Sequence, residues 1–165
     1  MNYMKLNAGD SIYVPADSIH AYLSGNIIEC MARSNNVLNT GFCPRADRDN
    51  VDTFIETLTF TPHDDDEATL RPKPFERSKN GKTQVYSPPM SEFDMLSTKV
   101  EKGEKESVEK INGPSIMIVT EGRGKLRAGG DEYALSEGFI FFIGAGVDTE
   151  YEAEEELQLF RAFAE

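Results

Sequence analysis

Long apolar runs are missing from this chain: nothing in it approaches the roughly 20 consecutive apolar residues that a membrane-spanning helix requires. The opening stretch MNYMKLNAGD has neither the basic segment nor the apolar segment of a secretion signal, so a cytoplasmic protein is expected. Cysteine is scarce. Cys30 and Cys43 cannot build a disulfide framework, and a reducing compartment suits them. Basic residues are outnumbered 17 to 29 by acidic ones, giving a formal net charge of −12. Such a surface repels phosphate backbones, and without a Lys/Arg stripe to offset it, nucleic acid is excluded as a partner. Histidine is scarce too, with only His20 and His63 in the chain. A metal site built on imidazoles therefore has few places to be.

At 165 residues the length fits one domain with room for a linker or an incomplete second unit. A hydrophobic content of 39% with ten Phe is enough for a core. SIYV (11–14) and NIIECM (26–31) are short apolar runs bounded by Gly and Pro, which predicts strands. Val51, Phe54, Ile55 and Leu58 recur at helical spacing, with Asp49 or Asn50 available as cap, and predict one short helix. From Thr61 to about Pro89 five prolines and few apolar anchors suggest a linker wrapped over a surface. The acidic runs Asp64–Asp66 and Glu154–Glu156 read as solvated loops and strand ends rather than cation sites.

Beyond Phe93 the pattern is β throughout. SIMIVT (115–120) predicts a buried strand, EGRG (121–124) a hairpin turn, and KLRAGGDEYAL two further strands about a Gly-Gly turn. FIFFI (139–143), apolar at every position, predicts a strand buried on both faces. LQLFRAF (157–163) alternates, placing Leu157, Leu159, Arg161 and Phe163 on one side. Many short strands with Gly turns point to a sandwich or small barrel.

The two ends of the chain repeat each other. LNAGDSIYVPADSIHAY (6–22) aligns without a gap on LSEGFIFFIGAGVDTEY (135–151), pairing Leu6 with Leu135, Gly9 with Gly138, Ala16 with Ala145 and Tyr22 with Tyr151. Ile12/Phe141 and Val14/Ile143 keep their hydrophobicity, and NIIECM then matches EELQLF. At the informative position the copies differ, His20 in the first standing against Thr149 in the second. One functional and one structural lobe are expected.

Gly9, Pro15 and His20 in the first copy resemble the second motif of the cupins, G-x5-P-x-G-x2-H-x3-N, with Asp17 and Ser24 at its Gly and Asn positions. The longer stretch HAYLSGNIIECMARSNNVLNTGFCPR (20–45) resembles the signature of the type I mannose-6-phosphate isomerases. His20, Ala21, Tyr22, Gly25, Glu29, Met31, Ala32, Ser34, Asn36, Gly41 and Pro44 agree with it. The resemblance implies a mainly β fold. Residues 93–165 would be a C-terminal, metal-free cupin lobe, a double-stranded β-helix. Residues 1–45 would hold the closing strands of a second, incomplete catalytic cupin, and residues 46–92 the helix and Pro-rich linker. It implies a zinc-dependent interconversion of mannose 6-phosphate and fructose 6-phosphate, in the carbohydrate metabolism that leads to GDP-mannose. It also implies a sugar phosphate as substrate.

For the site, the resemblance makes His20 a zinc ligand and Tyr22, Glu29 and Arg45 candidate catalytic residues. On a strand His20 and Tyr22 face the same side. Tyr22 is either a hydrogen-bonding partner of a sugar hydroxyl or an ordinary core tyrosine, as the persistence of Tyr151 suggests. Glu29 is either an active-site carboxylate or an edge-facing residue. Arg45 stands where the family has Lys, and Asn39 replaces a family Arg, which removes a full positive charge. Asn35 for Asp and Cys43 for Thr are milder departures. His63, in the linker, matches nothing in the signature. The family's other zinc ligands, a Gln-x-His pair and a Glu, belong to an upstream region without a counterpart before Met1. A single imidazole does not hold zinc, so an incomplete site is expected. The open strand edges of residues 1–45 would then pair with an upstream catalytic segment or with another copy. The competing expectation is a non-catalytic cupin module for binding or assembly, without metal. An unrelated metal cupin, a dioxygenase or epimerase, is a distant third.

Overall fold

A computed structural model describes residues 3–34, 36–61, 64–90 and 92–165. His63 and Asn35 lie outside the described residues. The chain divides into two units, Met1–Thr69 and Leu70–Glu165.

The second unit is built from ten strands: β1 (Lys73–Pro74), β2 (Thr83–Tyr86), β3 (Asp94–Val100), β4 (Lys105–Val108), β5 (Ser115–Glu121), β6 (Arg123–Ala128), β7 (Asp131–Ser136), β8 (Ile140–Ile143), β9 (Thr149–Ala153) and β10 (Leu157–Phe163). They form two antiparallel sheets, one of six strands in the order β1-β2-β3-β10-β5-β8 and one of four in the order β4-β9-β6-β7. Alternation makes the core. Leu96, Thr98 and Val100 of β3, Met117 and Val119 of β5, Leu157 and Leu159 of β10 and Tyr151 and Ala153 of β9 all point inward, while their neighbours are half-buried or exposed. Period-two side chains on facing sheets can only meet in this way. The unit is the expected mainly β, cupin-type fold.

Several of the polar groups inside are paired. Thr83 and Thr98 share a hydrogen bond of 2.9 Å across β2 and β3. Glu106 on β4 is wholly buried. Its carboxylate accepts from Ser78 Oγ and from the backbone N–H of Lys79, Asn80 and Lys82, which ties the turn before β2 to the second sheet. A buried carboxylate is tolerable only with such partners.

Three expectations for this unit need correction. EGRG is not a hairpin turn: β5 pairs with β10 and β8, whereas β6 pairs with β7 and β9, so the chain crosses here from one sheet to the other. Gly122 makes the corner, with φ +80°, and a Cβ there would lie 1.8 Å from the carbonyl oxygen of Glu156. FIFFI is not buried on both faces. β8 ends its sheet, and Ile140 and Phe142 are 65% and 72% exposed. Apolar residues at every position fail to separate a central strand from an edge strand, because strand order is non-local. The Pro-rich stretch is not only a wrapped linker either. It contributes β1 and β2, and Val85 of β2 packs against the core.

The first unit is organised differently. Its helix α1 (Val51–Thr57) forms as expected, capped by Asn50, whose side chain accepts from the N–H of Asp52 and Thr53. A single turn of 3-10 helix covers Arg45–Asp47, and a one-turn helix α2 covers Asp65–Ala68. The strands expected at 11–14 and 26–31 have no ladder. Ile12 makes an isolated bridge to Thr69, and residues 26–31 make none. A strand exists only when its N–H and C=O groups find a neighbour. No described residue of this unit is buried.

The repeat survives in local geometry. Asp10 N donates to Asn7 O at 3.0 Å, and Phe139 N to Ser136 O at 2.9 Å, so the same turn closes at corresponding positions. Gly9 and Gly138 have φ of +92° and +83° within these turns. Asp17, the one described non-Gly residue at positive φ (62°), corresponds to Gly146 at +76°.

Candidate functional site

The left-handed turn at Ala16–Asp17 delivers the chain to His20. Its carbonyl is anchored from the far side of α1: Asp17 O accepts from Thr59 N at 3.1 Å and from Thr59 Oγ1 at 3.2 Å. His20 Nδ1 lies 3.1 Å from Ser18 O. A carbonyl can only accept, so Nδ1 carries the proton and Nε2 keeps its lone pair. That is the tautomer an Nε2 metal ligand has.

Tyr22 stands edge-on to His20, ring centroids 5.7 Å apart at 66°. Its hydroxyl donates to Glu29 Oε1 at 3.0 Å. Partial burial raises the Tyr22 phenol above its ordinary value, and the Glu29 carboxylate, accepting its proton and repelling a phenolate, raises it further. Tyr22 is therefore a hydrogen-bond donor at neutral pH and not a base. His20, Tyr22 and Glu29 thus form one cluster open to solvent, Tyr22 being 50% exposed.

Asn39 and Arg45 are held elsewhere. The Asn39 backbone is clamped to Asp49, its N–H donating to Asp49 Oδ2 and its carbonyl accepting from Asp49 N at 3.0 Å. Arg48 Nε donates to Cys43 O at 3.0 Å and closes the same loop. Arg45 begins the 3-10 turn and is exposed. Among the described residues neither the Asn39 nor the Arg45 side chain hydrogen-bonds to His20, Tyr22 or Glu29. The clamping role of Asp49 carried no signal in the sequence beyond its position as a possible helix cap. Burial raises the Cys30 thiol, which makes it a poor nucleophile.

The described residues alone do not fit a zinc ion. No group of three His, Cys, Asp or Glu side chains placed to hold a metal ion occurs among them, and zinc takes at least three protein donors. His20 offers one.

The family "Phosphomannose isomerase type I C-terminal" matches residues 85–131, and the AraC-like ligand binding domain, a cupin-like fold, matches residues 113–161. Mannose-6-phosphate isomerase of Schizosaccharomyces pombe is 41% identical over the whole chain, which covers 40% of that protein. The Cryptococcus neoformans and Saccharomyces cerevisiae proteins of the same name are 39% and 40% identical, again over the whole chain and over 37% and 39% of theirs. The chain thus spans about two fifths of the curated relatives it matches. The chain is thus similar along its whole length to mannose-6-phosphate isomerases, and over residues 85–131 to the C-terminal family model of the type I phosphomannose isomerases.

Proposed function

We propose that the chain serves the aldose–ketose isomerisation of mannose 6-phosphate and fructose 6-phosphate, in the cytoplasm, as the part of a zinc-dependent enzyme that carries His20. The observation behind this reading is the His20–Tyr22–Glu29 cluster, set in a chain about 40% identical to isomerases throughout. The reaction moves a proton between adjacent carbons through a cis-enediol, which needs a base, hydrogen bonds to the sugar oxygens and a cation for the phosphate. Glu29, held by Tyr22, is the carboxylate suited to take and return the proton. Tyr22 keeps its proton and can donate to a sugar hydroxyl when Glu29 is engaged elsewhere. Arg45 supplies a planar cation of the kind that grips phosphate. Asn39 contributes hydrogen bonds without charge.

Zinc would take His20 Nε2 together with donors beyond the described residues. The exposed apolar residues of the first unit, Leu23, Ile27, Ile28 and Met31 among them, are the surface on which the remaining strands of a catalytic barrel would pair. A non-catalytic cupin module is the second reading, favoured by the complete core of residues 70–165.

Zinc content and isomerase turnover, measured on the same preparation, separate the two. Alone, the chain is expected to hold well under one zinc and to turn nothing over. Co-expressed with the remaining N-terminal three fifths of the S. pombe relative, it is expected to gain both, and His20→Ala to remove both. A folded, zinc-loaded assembly without turnover would sink the isomerase reading. Turnover by the chain alone would sink the incomplete site.

A further inference from the structure

The interior of the second unit holds a cation that has no counter-charge among the described residues. Arg161, in the middle of β10, is 1% exposed. Its Nε donates to Ser115 Oγ at 2.8 Å and its Nη1 to Thr149 Oγ1 at 3.3 Å. Nη2 has no partner, and among the described residues no carboxylate pairs with the guanidinium. Arginine does not shed its charge in a protein, and an unpaired buried charge is one of the costliest things a fold can contain.

The two hydroxyls orient this charge without neutralising it. Ser115 Oγ donates its own proton to Ile143 O at 3.3 Å, and Thr149 Oγ1 donates to Val108 O at 3.4 Å. Each therefore turns a lone pair to the arginine. One sits on β5 of the six-stranded sheet and the other on β9 of the four-stranded sheet, so the guanidinium is fixed between both layers. This leaves the Nη2 donors in a fixed fork, buried and without a protein partner among the described residues, which is what anion recognition requires. The repeat adds a second, independent pointer. Thr149 occupies the position of His20, the residue that offers a free lone pair in the other copy.

We propose that the second unit binds a small monovalent anion, a halide or a formate-sized carboxylate, on Arg161 Nη2. The position that offers a metal a lone pair in one copy of the repeat thus helps to position an anion-binding cation in the other. Leu96 and Met117, opposite Arg161 on the two adjacent strands, are themselves buried and leave the site closed to anything as large as a sugar phosphate. The inference stands apart from the isomerase reading, since every residue that would hold the anion belongs to the second unit.

Crystals of the native chain soaked in sodium bromide test it directly. An anomalous peak is expected within about 3.5 Å of Nη2, and a formate soak separates the carboxylate arm from the halide arm. In solution, replacing gluconate by chloride at constant ionic strength is expected to raise the melting midpoint and then saturate. Arg161→Met should abolish that saturating rise, and Arg161→Lys should weaken it. If Arg161→Met fails to fold, the soaks of the native chain decide alone. No anion at Nη2 in either soak, with ordinary water in its place, overturns the proposal.

Discussion

Residues 1–69 and 70–165 use similar apolar side chains to opposite ends. In the first unit Leu23, Met31 and Phe42 are 66%, 67% and 85% exposed, whereas in the second Leu96, Leu157 and Leu159 are at most 1% exposed. Composition does not separate them. Pairing does, since the second unit closes two sheets over a shared interior while the described residues of the first make one isolated bridge. A fully buried leucine contributes about 2 kcal/mol relative to an exposed one, so the first unit forgoes most of what its sequence could supply. A pattern that alternates correctly stabilises nothing until the facing layer is there.

The largest expected effect tests this contrast at one residue type. Leu159→Ala on β10 should cost about 3 kcal/mol in urea unfolding, through lost transfer free energy and the cavity left behind. Leu23→Ala should stay within about 0.5 kcal/mol. Equal losses would erase the distinction between the units.

A smaller effect is expected on the outer face of the second sheet, where Arg127 bridges Glu132 and Glu150. Arg127→Ala should lower the urea midpoint far less than Leu159→Ala, and the difference should fade in about 1 M salt, because exposed ion pairs are screened. A loss that persists in salt would mean that this network matters as much as the core.

The smallest effect concerns the cluster of the first unit. Glu29→Gln should bring the Tyr22 phenol back toward the ordinary tyrosine value of 10.0, followed by NMR of ring-labelled tyrosine. The sign is fixed by the direction of the shift. A phenol raised in the folded chain favours folding below the ordinary value, and that contribution disappears as pH rises through the raised one. An unmoved Tyr22 titration in Glu29→Gln would mean that the two side chains do not meet in solution.

Much of this could be read from the sequence. The alternation of LQLFRAF gave the inward set Leu157, Leu159, Arg161 and Phe163 correctly, and of the two caps the spacing offered, Asp49 and Asn50, it is Asn50 that caps α1. The signature marked His20, Tyr22 and Glu29, which do cluster. Thr83–Tyr86 was hidden among prolines, and its strand became visible only through its partner β3. Arg161 was placed on the inner side by its period, but nothing local said that the inner side would offer it two hydroxyls and no carboxylate.

The sequence by itself determined local matters: which residues alternate, where a helix starts, where the backbone turns left-handed, and which family signature the first copy resembles. These follow from the dihedral preferences and side-chain periods of neighbouring residues. Only the tertiary structure decided that β5 and β6 lie in different sheets, that β8 is an edge, and that the Arg161 guanidinium is sealed between two layers. Strand partners are chosen by contacts between residues far apart in the chain, and no local window contains them.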